Sequence, residues 1–167
     1  QTCALPISEA DILLAYVLDT SRDRLYLNID TSVNDGQKNR YTELLLNRGS
    51  REPLAYLLKN RNFMGLDFYV DERVLIPRPE TELLIQKLLD IGKDPAQSQM
   101  RILDLCTGSG ILGITTAIYR PDWSIVAVDI SEEALTVARI NAERLQVKID
   151  FRQGDLLQPV TGEKFDI

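Results

Sequence analysis

The ten residues Asp104-Leu105-Cys106-Thr107-Gly108-Ser109-Gly110-Ile111-Leu112-Gly113 constrain this chain more than any other feature. They follow an apolar run, Met100 to Leu105, and precede Ile111 to Tyr119, whose apolar residues recur at helical spacing, so they read as a strand-to-helix turn. Glycines in such a turn let the backbone approach a ligand closely, and the free amides at the helix start favour an anionic group. That group is either a pyrophosphate or an amino-acid carboxylate. The spacing Gly108-x-Gly110-x-x-Gly113 also satisfies the dinucleotide fingerprint, with Asp129 closing the next apolar run about 20 residues on, where a ribose is recognised. On either reading the ligand carries a nucleoside.

The surroundings of the loop specify an α/β fold. The pattern predicts strands at Met100 to Leu105, Ile125 to Asp129 and Ile149 to Arg152, alternating with helices at Ile111 to Tyr119 and Glu132 to Leu145, which is a parallel sheet flanked by helices. Before it, Val74-Leu75-Ile76 runs into Pro77-Arg78-Pro79, and a helix starting at Glu80 ends near Gly92, followed by a polar linker, Lys93 to Gln99. Further upstream the period is helical. A capping box at Ser8-Glu9-Ala10-Asp11 opens a helix to about Asp19; shorter helices follow at Ser21 to Asn28, at Asp35 to Asn47 with Arg48-Gly49 as its stop, and from Pro53. Between the two regions, Phe63 to Val70 alternates about Gly65, the pattern of a hairpin. The expected division is a helical domain at 1–61, a β-hairpin connector at 62–76 and a sheet domain from 77 to 167.

Asp104 tilts the choice of ligand. A carboxylate at the top of the first strand repels a pyrophosphate, whereas S-adenosylmethionine has no phosphate and carries an ammonium beside its carboxylate. Asp155, in Gly154-Asp155-Leu156-Leu157 after the third strand, is placed to accept from an adenine amino group, with Leu156 against the ring. Plainer roles compete: Asp129 as a cap for the next helix, Gly154-Asp155 as a turn, Cys106 as a small loop residue. With no histidine and only two distant cysteines, Cys3 and Cys106, zinc and histidine acid–base chemistry are not expected. A net charge of -6 argues against binding nucleic acid through phosphate neutralisation. No apolar run approaches the roughly 20 residues that span a bilayer, and no secretory signal is visible, so a cytoplasmic location is expected. A monomer is expected too.

Two stretches together carry a family resemblance: Val74-Leu75-Ile76-Pro77-Arg78-Pro79-Glu80-Thr81-Glu82, and Leu103-Asp104-Leu105-Cys106-Thr107-Gly108-Ser109-Gly110. On them the chain resembles the release factor glutamine methyltransferases, the HemK/PrmC family, over nearly everything from Ser8 to Ile167. The resemblance implies a Rossmann-like S-adenosylmethionine-dependent methyltransferase behind a helical substrate-binding domain. It implies that Cys106, Thr107, Gly108, Ser109 and Gly110 surround the donor's methionine end, Asp129 its ribose and Leu156 its adenine. Pro77, Arg78, Pro79, Glu80, Thr81 and Glu82 become a signature beside the site. The implied substrate is the Gln of a Gly-Gly-Gln loop in a peptide chain release factor. Many relatives carry Gly at the position of Cys106. Arg48, Arg51, Lys59 and Arg61 are candidates to contact the factor, though a solvated face explains them better. Three other readings stand beside this one: a ribosomal-protein glutamine methyltransferase, a nucleic-acid adenine methyltransferase and an NAD-linked oxidoreductase. The family's catalytic Asn-Pro-Pro-Tyr is not in the sequence. Lys164 to Ile167 reads as the start of the strand that would carry it, so both ends are expected to be truncated, with no catalytic residue before Ile167, an incomplete sheet and no activity from this stretch alone. Residues 1–7 are given no functional weight.

Overall fold

The computed structural model of the chain describes residues 7–27, 30–94 and 98–167, which form two compact units, Gln1–Lys59 and Asn60–Ile167. Of the expected segments, Asn28 at the end of one helix and residues 95–97 within the Lys93 to Gln99 linker lie outside the described residues, as do residues 1–6.

The first unit is helical: α1 (Ile7–Val17), α2 (Arg22–Leu27), α3 (Asp35–Gly49) and α4 (Leu54–Leu58). Leu13, Leu44 and Leu57, one from each longer element and from α4, meet at its centre with Val17, Tyr41 and Leu45 around them. The capping box expected at Ser8 is not there. Ser8 lies inside α1, where its own backbone is already helical and it cannot serve as the half-turned residue that caps. The box is at α3 instead: the Asn34 side chain accepts from the Gln37 amide at 2.9 Å, and the Gln37 side chain accepts from the Asn34 amide at 3.0 Å. Pro53 stands one residue before α4, as its N-cap. Arg48, a candidate partner contact, is instead forked onto Glu9, with Nε to Oε2 at 2.7 Å and Nη2 to Oε1 at 3.1 Å, tying α3 to α1.

The second unit begins with a two-stranded antiparallel hairpin, β1 (Arg61–Phe63) and β2 (Leu66–Phe68), turned at Met64 and Gly65, both at positive φ (48° and 77°). Two left-handed turn residues match the twist of a hairpin, which is why glycine is favoured there. Phe63 and Phe68 point the same way, their rings edge-to-face at 6.4 Å, into a core with Ile85, Ile111, Ile114 and Ala142. The segment read as a connector thus shares the core of the second unit. Then come α5 (Thr81–Ile91), β3 (Arg101–Leu105), α6 (Ile111–Tyr119), β4 (Ser124–Asp129), α7 (Glu132–Arg144), β5 (Asp150–Gln153) and a single 3-10 turn, Gln158–Val160.

The three later strands form a parallel sheet in the order β3-β4-β5, with Leu103 opposite Val126 and Val128 opposite Arg152. Both faces of β4 are covered. Val126 and Val128 pack with Val160, Leu103, Leu105 and Phe165, whereas Ile125 packs with Met100, Ile102 and Trp123. Burial on two sides is why this strand reads as an uninterrupted apolar run. The chain end returns to the other edge of β3: the Asp166 amide donates to the Arg101 carbonyl at 2.8 Å and the Leu103 amide to the Ile167 carbonyl at 2.9 Å. β3 is therefore flanked by β4 on one side and by the returning chain on the other, and the crevice above its carboxyl end is where open α/β sheets bind ligands. Among the described residues, no helix is long and apolar enough to cross a membrane.

Candidate functional site

The glycine loop lies at that carboxyl end. Thr107 extends the ladder past β3, its amide donating to the Val128 carbonyl at 3.0 Å, and α6 then starts behind Gly110, whose φ is 79°. Gly110 is the N-cap of α6 and has no side chain to cap with. The cap comes from the strand. Asp104 Oδ2 accepts from the Gly113 amide at 3.0 Å and from the Thr107 hydroxyl at 2.6 Å, binding both sides of the loop to β3. Both bonds fall on one oxygen of a carboxylate that is 7% exposed. Burial pushes the Asp104 pKa up, against the pull of these two donors, and the nearby Asp129 charge pushes the same way.

The three glycines have different surroundings. A Cβ on Gly110 would lie 2.8 Å from Ile114 Cδ1 and 3.1 Å from Ala138 Cβ, and one on Gly113 would lie 3.1 Å from Ile125 Cγ2. Those positions are closed by packing. At Gly108, with φ 56°, a Cβ would meet nothing within 4 Å, so this is where the loop presents bare backbone to open space. Cys106 is exposed and also left-handed, with φ 58°, a conformation that glycine adopts at less steric cost than a residue with a Cβ.

Asp129, at the end of β4, takes the plainer role weighed from the sequence, at the start of the next helix, and also holds the loop. Its Oδ2 accepts from the Gly108 amide at 2.8 Å, and its Oδ1 accepts from the Ser131 amide at 3.0 Å, beside the Ser131 side chain that caps α7. Each carboxylate oxygen has two lone pairs, so one on each is left for a hydroxyl donor. The Asp129 carbonyl in turn accepts from the Gly154 amide at 3.0 Å, which brings the third element alongside. There Asp155 is exposed, its carbonyl opening the 3-10 turn through Gln158, and Leu156 is left-handed (φ 48°) and 55% exposed. Within Pro77 to Glu82, Pro77 is buried, Thr81 half-buried, and Arg78, Pro79, Glu80 and Glu82 are exposed; Glu82 accepts from the Met64 amide at the hairpin turn, at 3.4 Å.

Two groups were not foreseen. Asn141, on α7 and with no exposed surface, donates to the Ser109 carbonyl inside the loop and binds the Tyr69 main chain. Its signal was a polar residue on the inward stripe Ala134, Leu135, Val137, Ala138 and Ala142. Beyond Tyr69, the Asp71 carboxylate accepts from the Arg73 guanidinium and from the Tyr69 hydroxyl at 2.8 Å, and the Arg73 side chain beside it holds its pKa at about 2. Among the described residues, no group of three or more His, Cys, Asp or Glu is placed to hold a metal ion.

A parallel sheet with a glycine loop at a strand order switch, and acids at consecutive strand ends, defines a Rossmann-like methyltransferase-type domain. Residues 79–167 match the methyltransferase small domain and residues 2–58 the PrmC N-terminal domain, so the chain belongs to the methyltransferase small domain family, in its HemK/PrmC group. It is similar to the release factor glutamine methyltransferase of Leptospira interrogans, 42% identical over 163 residues that make up 95% of this chain and 57% of that one. To the protein of the same name from Enterococcus faecalis it is 44% identical over 115 residues, 69% of this chain and 40% of that one. The chain thus spans little more than half the length of the curated relatives it matches. Among solved structures, the N-terminal domain of human METTL16 covers 68% of this chain and 48% of its own at a TM-score of 0.52 and 18% identity. A tRNA uracil C5 methyltransferase from Pyrococcus abyssi, solved with S-adenosyl-L-homocysteine, covers 64% of this chain and 25% of its own, at a TM-score of 0.51 and 20% identity. At those identities the likeness is one of fold.

Proposed function

We propose that this chain holds S-adenosylmethionine at the crevice above β3, as the donor-binding part of an enzyme that methylates the side-chain amide of the Gln in the Gly-Gly-Gln loop of peptide chain release factors. The observation that carries the donor reading is the bond from the Gly113 amide to Asp104. In a dinucleotide fold the pyrophosphate occupies the N-terminus of the helix after the first strand. Here a carboxylate of the protein already occupies it, at 3.0 Å, so a phosphate would meet negative charge where it needs amides. A sulfonium donor brings no phosphate.

The residues present fit that donor. Open backbone at Gly108, with Cys106, Thr107, Ser109 and Gly110, would receive the methionine end, and the free lone pairs of Asp129 would receive the ribose hydroxyls. Asp155 and Leu156, exposed beside Asp129, would meet the adenine. When bound, the donor supplies a methyl group on a positively charged sulfur. An amide nitrogen is a poor nucleophile because its lone pair is delocalised, so transfer depends on holding the acceptor in line. The relatives' name and the PrmC N-terminal domain support the release factor as acceptor, and a protein substrate of translation fits a cytoplasmic enzyme that acts on protein and not on nucleic acid; a monomer is part of the same proposal. Residues 1–167 are expected to bind the donor without transferring its methyl group. Calorimetry on the chain with S-adenosylmethionine and with NAD is the test, saturable binding of the first alone being the expected result. Binding of NAD alone would overturn the reading, and methylation of a release factor by residues 1–167 would overturn its last clause.

A further inference from the structure

Asn141 has no exposed surface and makes all its hydrogen bonds to main chain. Its Nδ2 donates to the Ser109 carbonyl at 2.9 Å and to the Tyr69 carbonyl at 2.9 Å, while its Oδ1 accepts from the Tyr69 amide at 2.6 Å. The two carbonyls need donors and the amide needs an acceptor, which fixes the orientation of the side chain. An apolar residue at this point of the inward stripe would serve α7 as well, and a buried amide is tolerated only when paired. The benefit of Asn141 therefore lies in the two segments it joins. One is the glycine loop, where Ser109 stands between Gly108, the open position, and Gly110, the closed one. The other is the stretch after β2, which carries contacts of its own: the Tyr69 hydroxyl and Arg73 donate to Asp71, and the Arg144 guanidinium lies 5.0 Å from the Tyr69 ring centre. That stretch leads directly into Pro77 to Glu82.

We propose that Asn141 is a positioning residue for the donor site: it clasps the Ser109–Gly110 peptide to the Tyr69 main chain, so that the loop and the stretch leading to the Pro77 to Glu82 signature respond to the donor as one body. This rests on the donor reading above. The test is amide hydrogen exchange and calorimetry on the full chain, with and without S-adenosylmethionine, for the wild type, Asn141→Leu and Asn141→Asp. In the wild type the donor should slow exchange at Tyr69 as well as in the loop. Asn141→Leu should weaken donor binding at least about tenfold, measured well below its unfolding transition, and abolish the donor's effect at Tyr69. Asn141→Asp keeps an acceptor for the Tyr69 amide but, as a carboxylate, cannot donate to Ser109. Its affinity should fall similarly and recover as the pH is lowered and the carboxyl gains a proton. A side chain that merely stabilises the fold would lower the melting temperature and leave affinity and Tyr69 protection unchanged, and that result overturns the proposal. Should Asn141→Leu not fold, a pH-independent affinity in Asn141→Asp overturns it equally. Should the wild type bind no donor, the donor reading fails on its own, and the clasp is judged without ligand: unchanged exchange across Gly108 to Gly113 in Asn141→Asp overturns it.

Discussion

Gly108 and Gly110 are two residues apart, share a left-handed backbone and differ in surroundings, so alanine at each separates packing from ligand approach. Both substitutions impose the left-handed penalty on an L residue, about 1 to 2 kcal/mol. At Gly108 that is the whole cost, since the new methyl would meet nothing within 4 Å. At Gly110 the methyl would lie 2.8 Å from Ile114 Cδ1, 3.1 Å from Ala138 Cβ and 3.4 Å from Ala138 Cα. The first neighbour can swing aside, but the other two are the Cβ and Cα of Ala138 in the middle of α7, so the helix must move, which adds overpacking of about 1 to 3 kcal/mol. Thermal unfolding of the second unit should therefore shift down by about 4 to 8 °C for Gly108→Ala and about 8 to 20 °C for Gly110→Ala, at about 4 °C per kcal/mol. Donor affinity should show the reverse ranking. The Gly108 methyl occupies the open face and should weaken S-adenosylmethionine by at least about tenfold, whereas folded Gly110→Ala should lose less. Equal destabilisation by the two substitutions, or an unaltered affinity in Gly108→Ala, would refute the division of the loop into an open and a closed glycine.

Other perturbations follow from single contacts. Asp71 is held at about 2, below the ordinary aspartate value of 3.8, so its contribution is present above about pH 4 and is lost as the pH falls toward 2. It is worth about 2 kcal/mol, and the urea midpoints of wild type and Asp71→Asn should differ at pH 7 and converge near pH 2; a gap independent of pH would sink the assignment. Burial raises the Asp104 pKa, so that group acts in the opposite sense, disfavouring the fold as the pH rises from the ordinary carboxylate range toward its folded value. Asp104→Ala strands the Thr107 hydroxyl and the Gly113 amide and should cost about 2 to 4 kcal/mol in denaturant titrations, and Asp104→Asn, which keeps an acceptor, should cost clearly less. Asn34→Ala removes the cap of α3 and should cost the helical unit about 1 kcal/mol, read by far-ultraviolet circular dichroism during melting; an unchanged midpoint would show that the box is not formed in solution.

Much of this arrangement was legible in the residues because its causes are local. Apolar period sets each strand and helix, and α6 begins and ends where the pattern puts it, at Ile111 and Tyr119. The hairpin turn at Gly65 and the acid at the end of β4 follow from backbone preference and strand length. The misplaced cap shows the limit of local reading: Ser8 and Asn34 both head polar sequences that suit a helix start, and which one caps depends on where the chain before it runs.

What the sequence by itself determined is the order of elements, the parallel sheet and the glycine loop at the carboxyl end of β3, since each depends on neighbours within a few positions. The tertiary structure alone decided which way the polar groups point. Asp104 turns beneath the loop to cap a helix that starts with glycine, Asp129 binds both the loop and α7, and Asn141 joins residues that are 32 and 72 positions away along the chain. A hydrogen bond between distant residues leaves no period in the sequence. It exists because a buried polar group must find a partner, and only the packed fold fixes which partner is within reach.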